Sequence, residues 1–152
     1  MIRLNNVVAS YKTERGVVNA VDGVSLEIPD GCIVGIAGES GCGKSTLMKV
    51  IYGDIGFPLA LASGSVDYGF SDDSGKPVTS RNIQKEWFKR ISYVPQSSMS
   101  SLNPVIRIRK QFLDFQDQTG NKAQILEQVK SYVKKLGLPE ESIDSYPHQL
   151  SG

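Results

Sequence analysis

Gly38-Glu39-Ser40-Gly41-Cys42-Gly43-Lys44-Ser45 fits G-x-x-x-x-G-K-[ST], and its reading decides the fold. Glycines let the backbone wrap so tightly that successive N–H groups converge on one anion. A helix beginning there adds the positive end of its dipole. Lys44 is a point charge with the reach of β- and γ-phosphates, and the Ser45 hydroxyl is placed to ligate Mg²⁺. With this chain's own residue frequencies the pattern arises by chance about once in ten thousand windows. A glycine-rich turn with a surface lysine is therefore the weaker reading.

The flanks agree with a phosphate loop. Before it, Cys32-Ile33-Val34-Gly35-Ile36-Ala37 is a continuous apolar run bounded by turn signals, the pattern of a strand covered on both faces. After it, a helix is predicted from about Gly43 to Tyr52, ending near Gly53. Upstream, Ile2 to Ala9 reads as a strand. Val24-Ser25-Leu26-Glu27-Ile28 alternates with period 2, as a half-buried strand does. Residues 53–80 are rich in Gly, Ser, Asp and Pro and predict either a loop-rich insertion or an antiparallel hairpin around Ser65-Val66-Asp67-Tyr68. Ile91-Ser92-Tyr93-Val94 predicts a second buried strand stopped by Pro95, and Ser97 to Asn103 a loop. From Val105 the period becomes helical, with Ile108, Phe112 and Phe115. A further helix carries Ile125, Val129, Tyr132 and Leu136 on one face, Asn121 as its cap and Gly137 past its end.

Composition narrows the function classes. The 152 residues hold 17 Lys+Arg and 16 Asp+Glu, a net charge of +1, which argues against a dedicated nucleic-acid binder. No apolar run approaches the roughly 18 residues of a membrane span, and the first residues do not read as a signal peptide. Cys32 and Cys42 sit ten apart, with no metal-ligand spacing. A guanine-reading N-K-x-D is missing: Asn121-Lys122 is followed by Ala123 and Gln124.

Gly38 to Thr46 resembles the Walker A loop of ABC-transporter ATP-binding subunits, and other stretches fit that family in order. Tyr11 resembles the aromatic that stacks on adenine, with Ala20 supporting the base from the side. Tyr93-Val94-Pro95-Gln96 resembles the entry to the Q-loop, and Leu150-Ser151-Gly152 the start of the L-S-G-G-Q signature. Ser101-Leu102-Asn103-Pro104 and Tyr146-Pro147-His148 are similar to stretches of the dipeptide and oligopeptide importer subunits. The resemblance implies an α/β fold: a P-loop core with an antiparallel β portion to about residue 104, then the start of a helical subdomain over about 105–152.

It also implies a function, ATP binding with Mg²⁺ that powers import of peptides or related solutes. Tyr11, Ala20, Ser40, Gly41, Cys42, Gly43, Lys44, Ser45, Thr46 and Gln96 would hold the nucleotide, with Ser45 and Gln96 toward Mg²⁺. Partners would be a second ATP-binding subunit and transmembrane permease subunits, at the cytoplasmic face of the membrane. Rival readings are a binding-only or structural fragment, or an ABC-type ATPase of DNA repair or translation. The sequence stops at Gly152 inside the signature, before the family's Walker B carboxylates. The expectation is therefore an N-terminal part that does not hydrolyse ATP alone and whose runs at 32–37 and 91–94 lack neighbours. Cys42 reads as a tolerated small residue and His148 as structural. Arg107, Arg109, Lys110, Lys134 and Lys135 read as a solvated helix face.

Overall fold

The computed structural model describes residues 1–114 and 121–150. Two compact units divide the chain, Met1–Tyr93 and Val94–Gly152.

In the first unit, β1 (Ile2–Thr13) is the centre of an antiparallel sheet. It pairs on one side with β2 (Gly16–Ile28) and on the other with β3 (Leu59–Ser71), and β4 (Pro77–Thr79) joins β3, giving the order β2-β1-β3-β4. The buried apolar positions of β1 are Leu4, Val7 and Ala9, spaced three and then two. A strand keeps period 2, so the odd spacing needs a bulge. It lies at Asn5–Asn6, where the register shifts and Asn6 takes φ 45°. The Asn6 N–H donates to Ser25 Oγ at 2.9 Å, which gives that backbone group a partner. Opposite, Gly64 has φ 84°, and a β-carbon there would overlap the carbonyl oxygens of Asn5 and Asn6. Only glycine fits the bend.

The helix α1 (Lys44–Tyr52) lays Thr46, Leu47, Val50 and Ile51 into the core. These positions share one helical face. Leu47, Val50 and Ile51 pack in one cluster with Leu4, Val7, Val66, Tyr68, Val78 and Ile83. Full burial of each aliphatic side chain is worth about 1.5–3 kcal/mol. The end of α1 is closed thoroughly. Gly53, at φ 81°, donates its N–H to Val50 O, and Asp54 N–H donates to Lys49 O. The last carbonyls then receive side-chain donors from three places: Tyr68 Oη to Ile51 O (2.8 Å), Trp87 Nε1 to Tyr52 O (2.9 Å) and Gln84 Nε2 to Gly53 O (2.7 Å). The Trp87 ring also stacks on Tyr52, 4.7 Å between centroids.

The second unit is helical: α2 (Ser98–Ser101), α3 (Ile108–Asp114) and α4 (Lys122–Lys135), with 3-10 turns at Glu140–Asp144 and Pro147–Gln149. Asn121 caps α4, its side chain accepting from Ala123 N–H at 3.1 Å, and Gly137 has φ 76°. Gln111 ties the 103–106 loop to α3. Its amide donates to Asn103 O and Ile106 O, and its oxygen accepts from Asn103 N–H.

Several expectations are corrected. Residues 32–37 form no strand, and Ile33 is fully exposed. An extended segment becomes a strand only when its N–H and C=O groups find a neighbour, and no described strand lies beside this one. For the same reason Ile91–Val94 is reduced to a single bridge, Ile91 to Trp87. Residues 59–71 are one long strand, the hairpin alternative realised, and Ser97–Asn103 holds the short α2. On α4 Val129 is buried, whereas Tyr132 and Leu136 are 65% and 76% exposed, so the apolar face is not covered along its length. The expected position Phe115 and the signature residues Ser151 and Gly152 lie outside the described residues.

Candidate functional site

The beginning of α1 is the opposite of its end. An α-helix leaves its first N–H groups without intrahelical partners. Here the cap is Gly43 in the left-handed region, with no side-chain bond to the helix, and the first turn carries no acidic residue. Those donors and the dipole end are therefore open to an anion.

The loop has its shape for local steric reasons. Gly41 and Gly43 take φ 82° and 97°, a region L-residues avoid. Gly43 also lies against β2: a β-carbon on it would overlap the Ala20 carbonyl oxygen, far inside the 3.0 Å that real β-carbons keep. Between Glu39 and Cys42 the turn is closed by Cys42 N–H donating to Glu39 O at 3.3 Å.

Lys44 curls back over this loop. Its Nζ donates to Gly38 O at 2.8 Å and Glu39 O at 2.6 Å, and Cys42 Sγ lies 3.5 Å away. The ammonium is thus held at the mouth of the loop by neutral acceptors. A phosphate oxygen carries a full negative charge where the two carbonyls carry only dipoles, so the same ammonium is drawn to an incoming anion. Ser40 and Ser45 are exposed, and Thr46 is buried.

Of the residues singled out from the sequence, the fold gathers Ala20, Cys42, Gly43 and Lys44 around one cleft, and it joins Tyr11 to Thr46. The half-buried Tyr11 hydroxyl lies 3.3 Å from Thr46 Oγ1. A cleft of about 390 Å³ runs beside the loop, lined by Asn19, Ala20, Asp22, Cys42, Gly43 and Lys44 among others. Asn19 and Asp22 were not singled out. Their only signal would have been their position beside Ala20 on β2, which the sequence does not pair with the loop. Gln96 is an exposed turn residue just before α2, in the second unit. Among the described residues, no group of three or more His, Cys, Asp or Glu could hold a metal, and no helix is long and apolar enough to cross a membrane.

The family profile described as ABC transporter matches residues 21–152. The dipeptide transport ATP-binding protein DppD of Caldanaerobacter subterraneus subsp. tengcongensis is 31% identical over 159 residues, covering 100% of this chain and 47% of that protein. The oligopeptide transport ATP-binding protein AmiE of Streptococcus pneumoniae is 30% identical over 162 residues, covering 100% of this chain and 44% of that protein. The chain thus spans about half the length of the curated relatives it matches. In fold it is similar to the ATP-binding cassette MJ0796, solved as a dimer in a post-hydrolysis state with ADP and Pi. The TM-score is 0.73 at 23% identity, over 99% of this chain and 63% of that one.

Proposed function

The chain belongs to the ABC transporter family, and we propose that its loop 38–46 binds ATP with Mg²⁺ to power import of peptides or related solutes by the parent protein. The observation that carries the reading is the asymmetry of α1. Its last carbonyls are occupied by three side chains, while its first amides are offered to an anion with a lysine above them. ATP with Mg²⁺ fits this donor set. Backbone amides 41–46 and Lys44 would take the phosphates, and the exposed Ser45 hydroxyl suits a hard cation that prefers oxygen. Mg²⁺ would neutralise charge on the phosphate oxygens. Tyr11 and Ala20 would hold the base, with Ser40 and Cys42 supplying loop contacts. Gln96 would link nucleotide state to the membrane partner.

Peptide import is favoured by the names of the relatives and by the stretches Ser101–Pro104 and Tyr146–His148. The partners would be a second ATP-binding subunit and permease subunits at the cytoplasmic face of the membrane. Residues to about 104 would form the nucleotide-binding portion and about 105–152 a helical portion facing that machinery. Hydrolysis needs a group that positions and activates water. The reading proposed for these 152 residues is nucleotide binding, with hydrolysis assigned to the parent protein. A net charge of +1 speaks against the nucleic-acid rival.

Calorimetry with Mg-ATP tests the reading. The chain binds, and Lys44→Ala, with an unchanged circular dichroism spectrum, does not. Equal heats from both proteins would remove the assignment. Turnover of even about one per second, low for an enzyme, and equal in wild type and after Ser45→Ala, would reveal a catalytic base elsewhere.

A further inference from the structure

A second cleft, of about 830 Å³, lies along the outer edge of β3, and none of its lining residues belongs to the loop 38–46. That volume is within the usual range of ligand sites. The edge is open for a simple reason. Strand β1 pairs with β3 from Leu59 to Asp67, whereas β4 meets the other edge only at Asp67 and Ser71. From Leu59 to Ser65 no described strand lies on that side.

The direction of the backbone groups follows from the register. Lys12 N–H donates to Pro58 O while Tyr11 faces Leu59, so the backbone groups of Leu59 point away from β1. Its N–H does so visibly, donating to Gly56 O at 2.8 Å. By the period of two, Leu59 C=O and both the N–H and C=O of Leu61 point into the cleft. The opposite wall is Thr79, Ser80 and Arg81, and no acidic residue lines the space. Arg81 is exposed. Its backbone N–H meets Thr79 Oγ1 at 3.4 Å, and its guanidinium has no partner among the described residues.

We infer that this cleft is a strand-addition site for a short, extended, acidic segment of another protein. Main-chain groups at an open edge give such a segment its affinity, and Arg81 selects a carboxylate, which its planar fork can hold bidentately. The edge is short by construction. At one end the outward Leu59 N–H is already taken by Gly56 O, and the Gly64 bend turns the strand at the other. Those stops suit a segment of about five residues. They oppose edge-to-edge pairing of two copies, which would also bring two Arg81 side chains together.

The test uses the full chain without nucleotide, so its outcome is independent of the ATP reading. The probe is the fluorescent, end-blocked pentapeptide acetyl-Val-Glu-Val-Glu-Val-amide, followed by anisotropy. Two further versions are N-methylated at alternate amides, one set per edge. The expected result is binding by the parent peptide and by one methylated set, with the other at least tenfold weaker, a loss of about 1.4 kcal/mol. Arg81→Glu weakens the parent peptide by a similar factor, and a lysine-for-glutamate peptide does not bind. No binding at millimolar peptide overturns the proposal. So does equal binding by both methylated sets, or by Arg81→Glu. Self-association of the chain that excludes the peptide would give the edge to a second copy and overturns it as well.

Discussion

Replacing Gly43 by alanine puts two separate costs on one methyl group. At φ 97° any L-residue is strained, by roughly 1–2 kcal/mol. The new β-carbon also meets the Ala20 carbonyl oxygen of β2, a backbone atom that cannot rotate aside. Forcing a methyl into filled space costs about 1–3 kcal/mol. Together the change should cost about 2–5 kcal/mol, against the 5–15 kcal/mol that usually holds a domain together. Gly41 supplies the control. It has φ 82°, but nothing lies within 4 Å of its would-be β-carbon, so Gly41→Ala should cost the strain alone. Urea unfolding followed by far-ultraviolet circular dichroism reads both. With a slope of about 2 kcal/mol per molar urea, the Gly43→Ala midpoint should fall by roughly 1–2.5 M, and that of Gly41→Ala by no more than about 1 M. If the two variants unfold together, the loop is not braced against β2 at Ala20, and the account of its shape fails.

The buried Tyr68 hydroxyl donates to Ile51 O at 2.8 Å. Tyr68→Phe leaves that carbonyl without its partner and should lower stability by about 1–3 kcal/mol in the same urea assay, whereas an unchanged midpoint would mean water replaces it. Burial pushes the Tyr68 hydroxyl above its ordinary pKa of 10.0. Its contribution is therefore complete below pH 10 and declines as pH rises beyond it, so thermal scans at pH 9 to 11 should show a smaller fall for Tyr68→Phe than for wild type. The Asp72 carboxyl is held below its usual 3.8, first by the Ser74 hydroxyl and then by the Lys76 and Ser74 amides. Its turn is intact above that pH and opens as pH falls through the lowered value. The Ser74 and Lys76 amide resonances should move together below pH 3.8, and independent movement would sink the assigned turn.

The parts of the fold set by local chemistry were legible from the residues. Helix α1 starts and stops where Gly43 and Gly53 say, because both positions need a positive φ that other residues resist. Asn121 and Gly137 mark α4 in the same way. The sheet was harder to read. Gly64 and Gly69 look like breakers of a strand, yet both lie inside β3, where β-carbons would strike the carbonyls of Asn5, Asn6 and Met1 across the ladder. Such a contact joins residues about 60 apart, and no local pattern records it. The run 32–37 shows the opposite failure. Its apolar residues state what the segment needs around it, not whether the described residues supply it. At the site, the phosphate-loop residues were plain from spacing alone. The brace on Ala20, the Tyr11 contact with Thr46 and the three donors closing α1 depend on tertiary pairing and were not.

We propose that the amides at the start of α1, with Lys44, form an anion site for nucleotide phosphates. Nitrogen-15 amide spectra during an Mg-ATP titration measure this residue by residue. Saturable shifts should be largest at Gly41, Cys42, Gly43, Lys44, Ser45 and Thr46, with the closed end of α1 at Tyr52 and Gly53 nearly still. Inorganic phosphate should move the same loop amides. Shifts centred elsewhere, with residues 41–46 unmoved at saturating Mg-ATP, would contradict it.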